Sequence, residues 1–346
     1  VFDEEIGMTE SRKRTKDFVQ SVDINNDDRL FSFLTQIPDL PYAAYGADPL
    51  DSVKASISLF KKRLSSPKSE ALGLEDKNRR LLGVGAYGLL GFDSKHFKAP
   101  MGCIDPIFIS RQANEAGIRK LFKTCIKNLD ALRCGHAYMR IPTGDLRYCR
   151  IAFSSGFYLA DTSIEYILDF RKKPFLPSIT PDKRIKIRMA GKEDNKELLS
   201  LTRRIFCNYI GRFHQDNWFD QKSAAELYVK WMKNSLAGEL ATNILVAELN
   251  GKLVGFITLK IESELEQIIK IRLGEGALVG VDPKARGQGI HLLMMKDAIR
   301  WFSHRVDILK MVTLANNFPP QNIWTQLGFK ISSSFHTLHI RINNKH

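Results

Sequence analysis

The sequence predicts a mixed α/β fold, with α+β mixed-sheet character, built from two similar halves in tandem. Three observations carry this. Strand-like apolar runs alternate with amphipathic helical stretches along most of the chain. A polar segment, Arg171 to Lys183, holds Pro174, Pro177 and Pro181 near the middle and reads as a linker. The two sides of that linker also match each other without a gap at an offset of 172 residues. Gly117-Ile118 meets Gly289-Ile290, Met139 meets Met311, and Gly156-Phe157 meets Gly328-Phe329. The other reading is two unrelated α/β domains of like size.

At roughly 100–200 residues per domain, a chain of 346 residues holds two. The expected organisation is a polar tail at 1–28, a first domain at 29–170, the linker at 171–183 and a second domain at 184–346. Hydrophobic residues at 44% and charged residues at 26% exclude collagen-like and disordered chains. No apolar run approaches the ~18 residues of a membrane span. The nearest, Leu81 to Phe92, contains four glycines and reads as a buried strand. The start, Val1-Phe2-Asp3-Glu4-Glu5, is acidic and shows no secretory signal. Cys103, Cys125, Cys134, Cys149 and Cys207 contain no C-x-x-C pair, which predicts free thiols, a cytoplasmic setting and no zinc site. The excess of 52 Lys and Arg over 38 Asp and Glu gives +14. That favours an anionic partner, whether nucleic acid, a membrane surface or a small polyphosphate.

The second half reads element by element. Arg184–Met189 alternates as a strand, and Lys192–Phe206 is helical through Leu198, Leu201 and Ile205. Asp220 caps a helix that aligns Ala224, Leu227, Tyr228, Trp231 and Met232. Asn243–Leu249 and Lys252–Ile261 are strands joined by the hairpin pair Asn250-Gly251. Gly276–Val281 is a short buried strand, and Gly289–His304 is a helix burying Leu292, Met295, Ile299 and Phe302. Leu309–Leu314 is a strand. Pro319–Leu327 is a short helix stopped by Gly328. Lys330–Ile342 makes one or two strands.

The most informative stretch runs Val279-Gly280-Val281-Asp282-Pro283-Lys284-Ala285-Arg286-Gly287-Gln288-Gly289-Ile290-His291. A strand enters a glycine-rich turn that opens a long helix. The first helical turn exposes unpaired N–H groups, and the helix dipole adds positive charge there. Glycines let a bulky anion approach, so the turn forms a pyrophosphate cradle with Arg286 at its rim. G-x-G-x-x-G and the P-loop Lys-Ser/Thr pair are both absent, which argues against dinucleotide binding and nucleotide hydrolysis.

This stretch resembles the acetyl-CoA signature of the GNAT superfamily of N-acetyltransferases, Q/R-x-x-G-x-G/A. Arg286 through Gly289 match it, and His291 replaces the final Gly or Ala. Asn317, a short helix and Gly328-Phe329 repeat a second feature of that family. The resemblance covers about residues 184–343 and implies two tandem GNAT-like domains, the N-terminal one degenerate. Gly211-Arg212-Phe213-His214-Gln215-Asp216, Ala224 to Tyr228 and the Trp231 to Leu236 stretch look like acetyltransferases of the dTDP-fucosamine type, which act on nucleotide-linked amino sugars.

The resemblance implies acetyl-CoA (CoA) as cofactor. It would be held by Val279, Val281, Arg286, Gly287, Gln288, Gly289, Ile290, His291, Asn317 and Trp324. Trp324 stands where the family usually has a tyrosine that protonates the departing thiolate, and an indole N–H is no practical acid. Acid/base candidates are Glu275, His336 and His339, with His291 and Tyr209 as further options. His336 and His339 have odd spacing, so they face opposite sides of a strand. Arg212, His214 and Tyr209 are candidates to hold the acceptor, a small-molecule amine. In the first half the cradle becomes Asn114-Glu115-Ala116-Gly117, and Glu115 would repel a phosphate. That half is expected to wall the acceptor site without binding CoA. The competing readings are the same chemistry on another amine, a peptide, a polyamine or an antibiotic, and a non-catalytic binding module for nucleic acid or for CoA. Basic residues interleaved with aromatics, which a nucleic-acid platform would need, are missing.

Overall fold

The computed structural model describes residues 17–25, 28–38, 40–173 and 182–342. The first half contains β1 (Phe18–Ser21), α1 (Asp28–Leu34), α2 (Pro49–Leu64), β2 (Glu70–Glu75), β3 (Leu81–Leu89) and α3 (Gly91–Phe97). It continues with β4 (Met101–Ile109), α4 (Glu115–Ala131), β5 (His136–Pro142), α5 (Leu146–Phe153) and β6 (Tyr158–Asp169). The second half contains β7 (Ile185–Met189), α6 (Asn195–Phe206), α7 (Arg212–Gln215), α8 (Gln221–Leu236), β8 (Asn243–Leu249), β9 (Lys252–Glu262) and α9 (Ser263–Ile269). It ends with β10 (Leu273–Val281), α10 (Ile290–Ser303), β11 (Ile308–Leu314), α11 (Phe318–Gln326) and β12 (Lys330–Arg341).

The 172-residue offset is a structural repeat. It carries α2 onto α8, α3 onto α9, β4 onto β10, β5 onto β11 and β6 onto β12 with both ends of each element coinciding. All strands join one 12-stranded sheet in the order β1-β2-β3-β4-β5-β12-β6-β11-β10-β9-β8-β7. Replacing each strand by its counterpart reverses this order onto itself, so the sheet has a pseudo-twofold centre between β12 and β6. The last strand of each half is exchanged. β12 pairs antiparallel with β5 of the first half, and β6 pairs antiparallel with β11 of the second. The 171–183 segment therefore divides the sequence but not the sheet, and the linker residues 174–181 lie outside the described residues.

Two helical layers cover the sheet. Ala71 of β2 faces the cluster under α1 and α2, while Leu72 and Leu74 face the cluster under α4 and α5. In the second half Ile244 and Val246 of β8 face α6 and α8, while Leu245 and Ala247 face α10 and α11. Asp220 caps α8 through the Ser223 amide as its spacing predicts. Asn250 (φ 51°) and Gly251 (φ 75°) make the turn between β8 and β9, which needs positive φ at both positions.

Two sequence expectations change. Of the expected polar tail, residues 17–25 and Asp28 are structured, while 1–16 and 26–27 lie outside the described residues. Phe18–Ser21 pairs with β2, and Val22 and Ile24 enter the core, because alternation over so short a segment stays hidden among charged neighbours. The strand expected at Gly276–Val281 begins at Leu273, so Glu275 lies within β10 rather than before it.

Candidate functional site

β10 and β11 run parallel only from Leu273 to Gly276 and from Ile308 to Met311. Beyond that β10 shifts register against β9 between Gly276 and Val279, where a bulge turns it away from β11. Gly276 marks the apex: a β-carbon there would lie 2.5 Å from the Met311 sulfur. A V-shaped gap opens toward Val279 and Val281. The edge of β10 that faces β11 has no partner strand there, so its backbone groups are available to an extended ligand.

The glycine turn lies at the end of this gap. Gly287 (φ 79°) and Gly289 (φ 75°) adopt the left-handed region that favours glycine. Open space surrounds both, with no atom within 4 Å of a β-carbon built on either. Gly289 caps α10, a helix of 14 residues, without a side-chain hydrogen bond to its first turn. Arg286 donates to the Val281 carbonyl at 3.3 Å, which holds the turn against the strand. Gln288 is exposed on the turn and Ile290 is buried at the helix start. These residues fit a polyphosphate: unpaired amides, a helix dipole and room for a bulky anion.

Farther along the gap, Asn317 donates from Nδ2 to Thr313 Oγ1 at 2.9 Å and precedes α11. Gln321 Nε2 donates to the Leu314 carbonyl at 2.9 Å, tying α11 to the end of β11. Trp324 is buried among Tyr166, His291 and Phe329. Trp324 Nε1 and His291 Nε2 are both sealed from solvent without a hydrogen-bond partner. Burial pushes His291 down to about 4, so it is neutral at physiological pH.

On the sheet face opposite α10, Glu275 pairs with Lys310 at 3.1 Å. Burial works against the Lys310 charge, but Glu275 and Glu165 outweigh it and its pKa is raised. Tyr45 reaches from the first half and donates to Glu165 at 2.8 Å. Glu275 is thus a paired carboxylate on an inter-half surface, within reach of the apex of the gap.

A second polar group extends from the mouth of the gap, at Leu278 and the end of β11, across β6 and β12 to β5. Tyr209 and Tyr228 pack with Leu278 of β10, and His214 stacks on Tyr228 at 5.8 Å. His214 Nδ1 and Nε2, Arg212 Nη1 and Asp161 Oδ1 are all sealed from solvent with no hydrogen-bond partner. Arg212 stacks over Tyr138 at 4.5 Å and over Phe213 at 4.4 Å, with no ion pair among the described residues. Burial lowers its pKa, and the neighbouring Arg140 lowers it further. Burial, then Asp161, pushes Tyr209 up to about 12. Asp161 lies on β6, two residues before Ser163, which pairs with Leu314 at the end of β11. The structure therefore brings Tyr209, Arg212 and His214 together and adds Tyr228 and Asp161, neither of them picked out from sequence as an acceptor group. Asp161 was hidden because it arrives on a strand exchanged from the other half. The only sequence signal was the expectation that this half walls the acceptor site.

His336 and His339 lie elsewhere. Their strand, β12, is separated from β10 by β6 and β11. His336 Nδ1 bonds Thr162 Oγ1 at 2.8 Å. His339 Nδ1 bonds Asp216 Oδ2 at 2.8 Å, and His136 Nε2 reaches the same oxygen at 3.1 Å. Tyr158 donates to it at 2.6 Å and Arg341 to Oδ1 at 3.0 Å. Burial opposes the Asp216 charge, but these bonds hold its pKa far below the carboxylate range. Two histidines and an aspartate so close could hold a metal ion. Their hydrogen bonds already account for the atoms that meet, and Arg341 neutralises the carboxylate. The cluster docks the α7 loop of the second half onto β5, β6 and β12.

Residues 206–329 match the model of the acetyltransferase (GNAT) family. No curated protein matches the chain by sequence. Among solved structures, a GCN5-related N-acetyltransferase from Sphaerobacter thermophilus is similar over 94% of this chain and 96% of its own, with a TM-score of 0.63 and 11% identity. A tandem GNAT protein from the clavulanic acid biosynthesis pathway is similar over 96% of this chain and 100% of its own, with a TM-score of 0.54 and 12% identity. The region of a fungal multi-domain β-N-acetylglucosaminidase described as a glucosamine N-acetyltransferase gives a TM-score of 0.61 at 14% identity, covering 94% of this chain and 38% of that one. These likenesses show the tandem fold. Among the described residues, no helix is long and apolar enough to cross a membrane.

Proposed function

We propose that this chain, whose residues 206–329 match the acetyltransferase (GNAT) family, uses acetyl-CoA as donor and acetylates a primary amine by direct attack in a ternary complex. The observation that carries this is the open glycine turn at Gly287 and Gly289 beside a strand pair that diverges at Gly276. The turn would hold the pyrophosphate and the gap the pantetheine arm, with the thioester near the apex. The amine lone pair forms the new N–C bond, the C–S bond breaks and its electron pair leaves on sulfur. The proton lost by nitrogen must reach a base, and the thiolate must gain one. Trp324 cannot supply the latter, so water or another group does.

Glu275 is one candidate base, held in an ion pair with Lys310 at 3.1 Å. A backbone amide of β10 near Val279 would stabilise the thioester oxygen. The finer reading is an amino sugar carried on a nucleotide. Support for it comes from the Gly211–Asp216 segment and from the cationic pair over Tyr138, Arg212 and Arg140, on the sheet face that also carries Asp161. In this reading residues 29–170 are a degenerate partner domain and 184–346 the catalytic one, with Tyr45 and Asp161 of the first walling the second's site.

Thermal shift with acetyl-CoA tests the donor. A thiol-release assay over simple amines, amino sugars and nucleotide-linked amino sugars tests the acceptor. Stabilisation by acetyl-CoA with thiol release on a nucleotide-linked amino sugar is expected. Release on other amines but on no amino sugar retires the finer reading and leaves acetyl transfer in place. No stabilisation at saturating acetyl-CoA refutes both.

A further inference from the structure

Resting on that reading, we propose that the acceptor carries an anionic group, phosphate or carboxylate, in addition to its amine. Asp161 receives the amine and Arg212 receives the anion.

The argument begins with what is missing. A buried guanidinium without a carboxylate partner is unfavourable in a closed protein. Arg212 is held by two aromatic faces and has no ion pair among the described residues, and its Nη1 has no acceptor. Carboxylates are nearby. Asp93 and Asp105 act on Arg212 electrostatically, as does Asp161, yet none of them is in contact with it. A second guanidinium, Arg140, stacks on Tyr138 and Phe335 and faces the same space. Two like charges held over the same ring, one of them with a sealed and unspent donor, suit an anion.

Asp161 is the complementary group. Its Oδ1 is sealed and unpartnered. In the sheet it lies across Thr337 from Arg140, so it faces the same side as Arg140 and as the Tyr138 ring, two residues away, that carries Arg212. It also stands one strand from the end of β11, whose divergence from β10 opens the gap. An ammonium at Asp161 therefore lies on the side from which a thioester in the gap would be attacked. His214, two residues from Arg212 and stacked on Tyr228, has both ring nitrogens free of partners and can bond a neutral hydroxyl or carbonyl of the same molecule. Both charged groups are needed only by a ligand with both charges.

The test uses the full chain saturated with CoA and matched probes read by calorimetry. Glucosamine 1-phosphate has both groups, glucosamine only the amine and glucose 1-phosphate only the anion. β-Alanine against ethylamine repeats the comparison with a carboxylate. Glucosamine 1-phosphate or β-alanine is expected to bind at least tenfold more tightly than its amine-only partner, and the stronger pair identifies the anion. Arg212→Met should lower the doubly charged probe to the level of the amine alone. Asp161→Asn should lower it to the level of the anion alone. Both variants should keep the thermal shift given by CoA, which separates a lost acceptor site from a misfolded chain or a wrong donor assignment. Equal affinity for charged and amine-only probes, or no binding by any of them, overturns the proposal. So does a uniform loss across all probes in either variant.

Discussion

The two helix starts related by the repeat, at Gly289 and Gly117, solve the same problem in opposite ways. Both follow a strand and open a long helix whose first amides need acceptors. In the second half nothing among the described residues supplies them, and space surrounds Gly287 and Gly289. In the first half the protein supplies them itself. Asn114 Oδ1 accepts from the Gly117 amide at 2.8 Å, and its Nδ2 donates to Asp17 Oδ2 at 2.6 Å. That carboxylate would lie 2.5 Å from a β-carbon on Gly117, so it occupies the approach that a phosphate would use. Glu115 is turned outward and pairs with Arg150 at 3.2 Å, so Asp17 rather than Glu115 closes the first cradle. The lesson is that a helix start binds an anion from solution only where its own chain leaves the amides unclaimed.

The largest effect should come from filling the open cradle. Gly289→Trp places a side chain at φ 75° and into the free space. At a hundredfold excess over Kd, acetyl-CoA should stabilise the wild type by about 2.7 kcal/mol. The variant should lose that stabilisation and at least a hundredfold in kcat/KM. Undiminished binding would show that this turn is not the cradle. Calorimetry on the wild type should give one equivalent of acetyl-CoA per chain, and two would break the contrast between the halves.

Next in size is the lock between the halves. Asp216 accepts from His136, His339, Tyr158 and Arg341. Asp216→Ala should cost about 3–5 kcal/mol in urea unfolding, since it leaves buried partners unpaired. A loss below about 1 kcal/mol would show that the exchanged strands alone hold the halves together.

The same lock predicts a pH dependence. Burial lowers His136 and pushes His339 from 6.5 down to about 4, despite Asp216. A histidine with a depressed folded pKa binds its proton more readily when unfolded. Its full contribution is present above pH 6.5 and is lost as pH falls toward about 4. For His339 that loss is roughly 3 kcal/mol. His339→Gln should flatten the stability profile across this window, and an unchanged slope would assign the acid sensitivity to other groups.

Much of the fold was legible because strand and helix periodicities are local. The hairpin at Asn250-Gly251, the cap at Asp220 and the stop at Gly328 each follow from residues within one turn of the feature. The repeat was legible because a fixed offset survives even when few identities do. The strand exchange was not legible: β6 and β12 have the same alternation whichever neighbour they pair with, and only the closed sheet distinguishes the two. Site reading divided along the same line. The cradle is a continuous segment, so its residues were named together. The acceptor group is assembled from β6, α7 and α8, and Asp161 in Leu159-Ala160-Asp161-Thr162 looks like any exposed strand carboxylate. His339 shows the converse, a residue near the catalytic half in sequence that the exchange carries into the other half's sheet.

The smallest effect is also the sharpest test of the comparison. Asn114→Ala removes an N-cap and should cost about 1 kcal/mol of stability. It should leave acetyl-CoA affinity and stoichiometry untouched if donor binding belongs to the second half alone, as proposed. Combining it with Asp17→Ala uncovers the amides of α4 altogether. If occupation by Asp17 and Asn114 were the only difference between the halves, this double variant would gain a second, weak equivalent of acetyl-CoA. It should not gain one, since Glu115 and Ala116 stand where the second half has Gly287 and Gln288, and only the glycine turn bends the backbone into a cradle. A helix start needs both vacant amides and a turn that lets the anion reach them, and the first half has lost both.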